Sequence, residues 1–214
     1  MDDLPARIEH TVLGPTTTPA DIRECLGTAR DLGMRVCLPP WGLSLATAYD
    51  DVPVATVVDF PHGQGATDAV CGAATHAREA GADELDVVCN VGRLRAGDDE
   101  AVHEHLVKIV AAVPIPVKVI VEAPLLSDAD LHRVGDIAAG AGAAYLKTAT
   151  GFSEGGATVE DVELLSQYRP VKASGGIGSL ERAEAMFEAG AERIGASSGD
   201  TIVEQWRDQR DERC

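Results

Sequence analysis

Short apolar runs alternate along the chain with longer segments in which apolar residues recur every three or four positions. Runs of the first kind are typical of strands buried on both faces, and the longer spacing is typical of helices that bury one face. The alternation repeats eight times, with predicted strands at residues 7–13, 34–38, 54–60, 84–89, 117–122, 144–147, 171–173 and 193–196.

Capping residues place the ends of the intervening helices. Thr18 is a typical N-cap, Pro19 suits the first helical position, and Gly33 ends the same segment. Ser127 begins another helix in the same way. The predicted helices span residues 18–33, 68–80, 98–112, 127–139, 158–167, 179–190 and 200–210, with a short helical turn at 43–49.

Eight strands alternating with helices predict an α/β protein with a parallel sheet covered by helices. The count and the length of 214 residues favour a single-domain (β/α)8 TIM barrel over residues 1–214. An open doubly wound sheet is the alternative. That fold usually carries a glycine-rich turn after its first strand, whereas this chain has Leu13-Gly14-Pro15-Thr16.

The composition predicts a soluble cytoplasmic protein. No apolar run approaches the roughly 18 residues of a membrane span, and the start, Met1-Asp2-Asp3, is acidic rather than basic. The cysteines are odd in number and lack CxxC pairing, so we expect neither a disulfide framework nor a zinc site. They are Cys25, Cys37, Cys71, Cys89 and Cys214.

The net charge of −17 argues against nucleic acid or an anionic membrane as a partner, because both are bound through basic patches. We expect a small molecule instead. An anionic substrate must then find its positive charge locally, from a few well-placed cations or backbone N–H groups.

The chain has only four lysines, and most of them lie in apolar segments where a solvated side chain is not expected. Three of the four lysines, Lys118, Lys147 and Lys172, lie in predicted strands. A snorkelling edge-strand lysine is the alternative for any one of them. Three together favour buried amines near the carboxyl ends of barrel strands, where active sites lie. Other polar residues late in the strands are Glu9, His10, Thr11, Asp59, Asp86 and Glu122.

Lys147 and Lys172 lie at matching depth on adjacent predicted strands. Two ammonium groups so close are expected to lower the pKa of one by about three units, or roughly 4 kcal/mol. Asp86, two strands from Lys147, can stabilise the lysine that stays protonated and relay protons. A neutral amine, a neighbouring cation and a carboxylate are what an imine-forming enzyme needs.

Two glycine-rich loops follow the last two strands and predict a phosphate site. Each leads into a helix N-terminus, where backbone N–H groups approach an anion. Tight turns that simply need glycine are the alternative reading. The expected substrate- and phosphate-binding residues are Gly175, Gly176, Gly195, Ser197 and Ser198, together with Thr11 and Thr148.

We expect neither a metal nor a cofactor. His103 and His105 are two positions apart on a predicted helix and therefore face different directions, which favours a solvated surface. Cys37 is expected to be a packed thiol, and Lys108 an ordinary surface residue.

Eight sequence segments together resemble the deoxyribose-phosphate aldolase family. They occur in the family's order and cover almost the whole chain: IEHTVL (8–13), VCLPP (36–40), VVDFPHG (57–63), GADELDVV (81–88), KVIVE (118–122), KTATGF (147–152), KASGGI (172–177) and RIGASS (193–198).

The resemblance implies a TIM-barrel class I aldolase that reversibly cleaves 2-deoxy-D-ribose 5-phosphate to D-glyceraldehyde 3-phosphate and acetaldehyde, without metal. It implies that Lys147 forms the Schiff base, that Lys172 lowers the pKa of the Lys147 amine, and that Asp86 serves in proton relay. The phosphate would bind at the two glycine-rich loops.

Three positions depart from the common family pattern. Ala149, Glu9 and Gly178 stand where the family often has a serine, an aspartate and a basic residue. Two other functions stay open on the residues alone: a Schiff-base barrel enzyme for a related sugar phosphate or an unphosphorylated aldehyde, and a catalytically silent phosphate-binding barrel. We also expect that the chain can form a homo-oligomer.

The acidic composition generates a prediction about salt. With 35 acidic residues against 18 basic ones, screening of self-repulsion should raise the free energy of unfolding as salt increases, as suits a high-salt cytoplasm. Urea unfolding followed by circular dichroism at increasing KCl measures this. A protein that is fully folded and equally stable without added salt would be an ordinary acidic enzyme instead.

Overall fold

A computed structural model describes residues 3–211 of the chain. Met1, Asp2 and Cys214, on which part of the sequence interpretation rests, lie outside the described residues. Among residues 3–211, none of the helices combines the length and the apolar character that crossing a membrane requires.

Eight strands form a closed parallel barrel in which each strand pairs with the next and β8 pairs with β1. This confirms the predicted TIM barrel. Six strands are shorter than predicted, four of them because pairing stops where the chain turns into the loops at the carboxyl ends, and the last two strands are longer than predicted. The strands are β1 (Ile8–Thr11), β2 (Arg35–Leu38), β3 (Val54–Val58), β4 (Glu84–Val88), β5 (Val117–Ile120), β6 (Tyr145–Lys147), β7 (Val171–Ser174) and β8 (Ala191–Ala196).

Helices cover the outside of the barrel. The described α-helices are α1 (Pro19–Leu32), α2 (Leu43–Ala46), α3 (Thr67–Glu79), α4 (Val91–Arg95), α5 (Asp99–Ala111), α6 (Asp128–Gly140), α7 (Val159–Leu165), α8 (Leu180–Glu188) and α9 (Gly199–Asp211), with 3-10 turns at Pro5–Arg7, Pro40–Gly42 and Ala123–Leu125. The short helix α4 was not predicted. Its local signal is Asn90, whose side chain accepts a hydrogen bond from the Arg93 N–H at 3.0 Å.

The predicted caps are confirmed at two helices. Thr18 and Asp21 form a reciprocal capping box at the start of α1, and Gly33 ends that helix in the left-handed conformation with φ 79°. Ser127 and Asp130 form the same reciprocal pair at α6. These local contacts fix where two of the helices enter against the sheet.

The main apolar core lies between the sheet and the helices, whereas the barrel interior is largely polar. A second, small apolar cluster of Cys37, Ala55 and Val57 packs with Leu13 and Phe60. Cys37 is fully buried, as expected of a packed thiol. Beside this cluster the interior is filled by six buried charged side chains, Glu9, Glu84, Asp86, Lys118, Lys147 and Lys172.

Candidate active site

Three lysines from adjacent strands converge on one buried carboxylate. Lys118 Nζ lies 2.9 Å from Asp86 Oδ1. Lys147 Nζ and Lys172 Nζ both lie 2.9 Å from Asp86 Oδ2. The pairing register explains the meeting, because Asp86 pairs with Lys118 between β4 and β5 and Lys147 pairs with Lys172 between β6 and β7. The structure therefore brings together the three predicted catalytic residues.

Two further carboxylates complete the network. Glu9 binds Lys172, and its other oxygen lies 3.6 Å from Lys118 Nζ. Glu84 Oε2 lies 2.5 Å from Lys118 Nζ and 2.6 Å from an Arg193 nitrogen.

Cations outnumber carboxylates in this network. Arg35 binds the remaining oxygen of Glu84 at 2.7 Å, so that three lysines and two arginines surround three carboxylates. The interior therefore carries an excess of positive charge within a protein of net charge −17.

The ionisation of the network follows from these contacts. Burial alone would raise the pKa of Asp86, but the ammonium groups of Lys118, Lys147 and Lys172 hold it well below its usual range. Burial likewise opposes the charge on Lys172, yet Asp86 and Glu9 raise the pKa of that lysine above its ordinary value. The stable cation of the predicted lysine pair is thus Lys172.

The three lysines differ in their access to substrate. Lys118 and Lys172 have no exposed surface, whereas Lys147 is 2% exposed and lines an open cavity of about 490 Å³ at the carboxyl ends of the strands. Among the described residues that line this cavity, Lys147 is the one cation. It is therefore the amine that a bound molecule meets.

The same cavity brings together most of the predicted binding residues. Six of them line it: Thr11, Gly175, Gly176, Gly195, Ser197 and Ser198. Thr11 comes from the end of β1, and the other five lie in the cavity wall formed by the ends of β7 and β8, with α8 and α9 beginning just beyond. Hydroxyl and backbone N–H groups, rather than side-chain cations, are available to an anion there.

Thr148 is the exception among the predicted binding residues, because its side chain points away from the cavity into a contact between two strands. Its side chain is completely buried, and its hydroxyl donates to the Ser174 carbonyl at 2.8 Å and accepts from the Ser174 N–H at 2.9 Å. Thr148 does not line the cavity. It joins the ends of β6 and β7, a role that adjacency to Lys147 in sequence does not reveal.

Gly195 has a packing reason to be glycine besides its place in the cavity wall. A Cβ atom there would lie 2.7 Å from Lys172 Cε and 3.2 Å from Ser174 Cβ. A larger residue would push the Lys172 side chain away from Glu9 and Asp86. At the neighbouring loop, Gly175 and Gly176 have φ values of 96° and 70°, which favour glycine for conformational reasons.

One group of side chains has the spacing of metal ligands. Cys37 Sγ and carboxylate oxygens of Glu9 and Asp86 lie within 4.8 Å of one another. Both carboxylates are already paired with lysine, and burial raises the pKa of the Cys37 thiol to about 11. A cation here would face the ammonium groups, so these residues fit ion pairing and not a metal.

Sequence reasoning missed Glu84 and misjudged His105. Glu84 begins its strand, where a solvated carboxylate is usual, and its cationic partners are distant in sequence. His105 was expected on a solvated surface, but its side chain is only 12% exposed. Its Nδ1 lies 2.9 Å from Thr67 Oγ1, and its Nε2 lies 3.8 Å from Asp59 Oδ2.

Comparisons with known proteins agree with this geometry. The deoxyribose-phosphate aldolase of Haloarcula marismortui is 71% identical over 207 residues, covering 97% of this chain and 90% of that protein. The chain belongs to the deoxyribose-phosphate aldolase family. It is therefore a lyase of the aldolase type. No family model matches the chain.

Solved structures of the aldolase type share the fold closely. An aldolase named QR15 superposes with a TM-score of 0.95 at 36% identity, covering 98% of each chain. The deoxyribose-phosphate aldolase of Aeropyrum pernix, described as a unique tetramer, has a TM-score of 0.88 at 34% identity and covers 96% of this chain and 92% of its own.

The three departures from the common aldolase pattern have distinct surroundings. Ala149 is buried, and its carbonyl accepts a hydrogen bond from Ser174 Oγ at 2.6 Å. Glu9 reaches Lys172 and Lys118. Gly178 lines the cavity, and a Cβ atom added there meets open space.

The network predicts a specific loss of stability in acid. Burial opposes ionisation of Glu84, but Lys118 and Arg193 lower its pKa from 4.5 to about 2. A lowered carboxyl pKa stabilises the fold above about pH 4.5, and this contribution disappears as the pH falls towards 2. Glu84→Gln should therefore be less stable than the unmodified protein at neutral pH. The gap between their free energies of unfolding should narrow as the pH falls from about 4.5 towards 2.

Urea unfolding at a series of pH values between 2 and 7 measures the gap. Glu79→Gln, on the exposed surface of α3, is the matched control and should follow the unmodified protein. A gap for Glu84→Gln that stays constant with pH would contradict the assignment.

Proposed function

We propose that the chain is a class I aldolase that reversibly cleaves 2-deoxy-D-ribose 5-phosphate to D-glyceraldehyde 3-phosphate and acetaldehyde through a Schiff base on Lys147. One observation carries the proposal. Of the three buried strand lysines, Lys147 alone lines the cavity, and its Nζ contacts a carboxylate that a second, permanently charged lysine also contacts.

The arrangement suits imine chemistry. The neutral Lys147 amine attacks the aldehyde carbon C1, and the carbinolamine loses water to give an iminium ion. The iminium withdraws the electron pair of the C2–C3 bond as that bond breaks, the C3 hydroxyl gives its proton to water in the cavity, and D-glyceraldehyde 3-phosphate leaves. Protonation of the resulting enamine and hydrolysis of the imine release acetaldehyde and restore the amine.

Lys172 and Asp86 support these steps from behind the amine. Lys172 places a fixed positive charge beside the oxygen that Lys147 contacts, which disfavours a second ammonium ion there. Asp86 Oδ2 contacts both lysines and can accept and return the proton of the Lys147 amine, while Lys172 keeps its charge.

The sugar-phosphate end would lie against the loops after β7 and β8. Backbone N–H groups at the glycine-rich turn and the hydroxyls of Ser197 and Ser198 supply donors there. The buried cationic network adds attraction for an anion from below.

A second candidate is the same reaction on an unphosphorylated deoxy sugar or short aldehyde. It is favoured by the absence, among the described residues that line the cavity, of any cation besides Lys147. Comparing kcat/KM for the phosphorylated and unphosphorylated sugar separates the two candidates.

The biological setting follows from the proposed reaction and from the relatives. We place the enzyme in the cytoplasm, in catabolism of deoxyribose phosphate. By analogy with the tetrameric protein of Aeropyrum pernix, we propose that the chain forms a homo-oligomer.

Borohydride trapping tests the central step. Reduction in the presence of acetaldehyde should leave a stable adduct on Lys147, located by mass spectrometry of peptides. Lys147→Ala should lose both the adduct and turnover, because it removes the nucleophile. Lys108→Ala, on the exposed face of α5, should retain both. If no lysine carries an adduct, the Schiff-base proposal is wrong.

A second variant tests the role of Lys172. Lys172→Ala removes the cation that shares Asp86 Oδ2 with Lys147, so residual imine formation should require higher pH than in the unmodified enzyme. The pH dependence of the trapping rate measures this shift. A profile identical to that of the unmodified enzyme would contradict the proposed tuning by charge.

A further inference from the structure

The segment that follows Lys147, residues 148–153, separates two cavities. Beside the cavity that holds Lys147 lies a second one of about 320 Å³. Thr150 and Phe152 line both cavities. The position of this segment therefore sets one wall of the reactive cavity.

One end of the segment is fixed to β7. The Thr148 hydroxyl and the Ser174 backbone exchange two hydrogen bonds, and Ser174 Oγ donates to the Ala149 carbonyl. These contacts hold residues 148 and 149. The part that lines the cavities, from Thr150 onwards, needs another attachment.

Glu122 provides that attachment from the end of β5. Its carboxylate oxygens accept hydrogen bonds from the Thr150 N–H at 3.2 and 3.3 Å and from Ser153 Oγ at 2.8 Å. The residue is 4% exposed. Its backbone has φ 57° and ψ 55°, a left-handed conformation that is costly for a residue with a side chain.

We propose that Glu122 is a positioning residue for the aldolase reaction, which holds the wall of the Lys147 cavity in place through Thr150 and Ser153. This inference rests on the proposed function. Glu122 lines the second cavity and not the one that contains Lys147, so it acts through the segment and does not touch the substrate.

Glu122→Ala and Glu122→Gln form the decisive pair of variants. Alanine removes both attachments, so KM for the sugar phosphate should rise about tenfold with a smaller change in kcat, because the wall encloses the substrate but carries no reacting group. Glutamine should restore KM to within about twofold. Its amide oxygen can accept from Thr150 N–H, and its NH2 group can donate to Ser153 Oγ.

Two comparisons separate loosening of this segment from general destabilisation. Ser127→Ala removes a helix cap near β5 without touching the cavity wall, and should leave KM unchanged. Cleavage after the exposed Glu154 by a glutamyl endopeptidase should be faster in Glu122→Ala than in Glu122→Gln or Ser127→Ala.

The inference is overturned by a normal KM in Glu122→Ala, or by a Glu122→Gln variant as impaired as Glu122→Ala. If Glu122→Ala does not fold, Ser153→Ala removes one attachment alone and should raise KM about threefold; an unchanged KM there also overturns it. If the unmodified enzyme forms no adduct on Lys147, the proposed function is wrong. Failure of the proposed function is therefore distinguishable from failure of the inference about Glu122.

Discussion

The buried carboxylate of Asp86 is the contact on which the rest of the site depends. Three lysine side chains share its two oxygens inside the barrel, where an isolated charge would cost several kcal/mol to bury. Removing one member of such a network leaves an uncompensated charge, at a cost of about 3–5 kcal/mol. A barrel filled only by apolar side chains would avoid this expense. In the proposed Schiff-base mechanism, the network supplies an amine and a carboxylate that water does not screen.

Small differences in depth give three similar lysines different tasks. Lys118 is enclosed by Glu84, Asp86 and Glu9 and serves as a structural counter-ion, whereas Lys172 is enclosed by Glu9 and Asp86 and supplies a fixed charge. Only Lys147 reaches the cavity among the three. The buried cations below the cavity also create a positive electrostatic potential at the mouth of the barrel. This potential favours entry of an anion despite the negative net charge of the protein.

The fold and the lysine cluster were predictable because each leaves a local trace in the sequence. Strands buried on both faces read as continuous apolar runs, and a lysine within such a run is conspicuous, which identified Lys147 and Lys172. The surroundings of Glu84 and His105 left no such trace. Their partners are dozens of residues away in sequence. The barrel brings Arg193 to Glu84, and packing of α5 beside α3 brings His105 towards Thr67 and Asp59. Long-range pairing, rather than residue type, decided those roles.

Backbone strain at the strand ends was equally hidden. Among the described residues, Asp59 and Glu122 are the two non-glycine positions with positive φ, at the ends of β3 and β5. Glycine would adopt this conformation without the cost of about 1–3 kcal/mol that a side chain incurs. Glycine, however, has no carboxylate. The Asp59 carboxylate accepts a hydrogen bond from the Gly65 N–H, and the Glu122 carboxylate accepts one from the Thr150 N–H. The strain is retained because the turn and the side chain are needed at one position, where each carboxylate holds a loop at the mouth of the barrel.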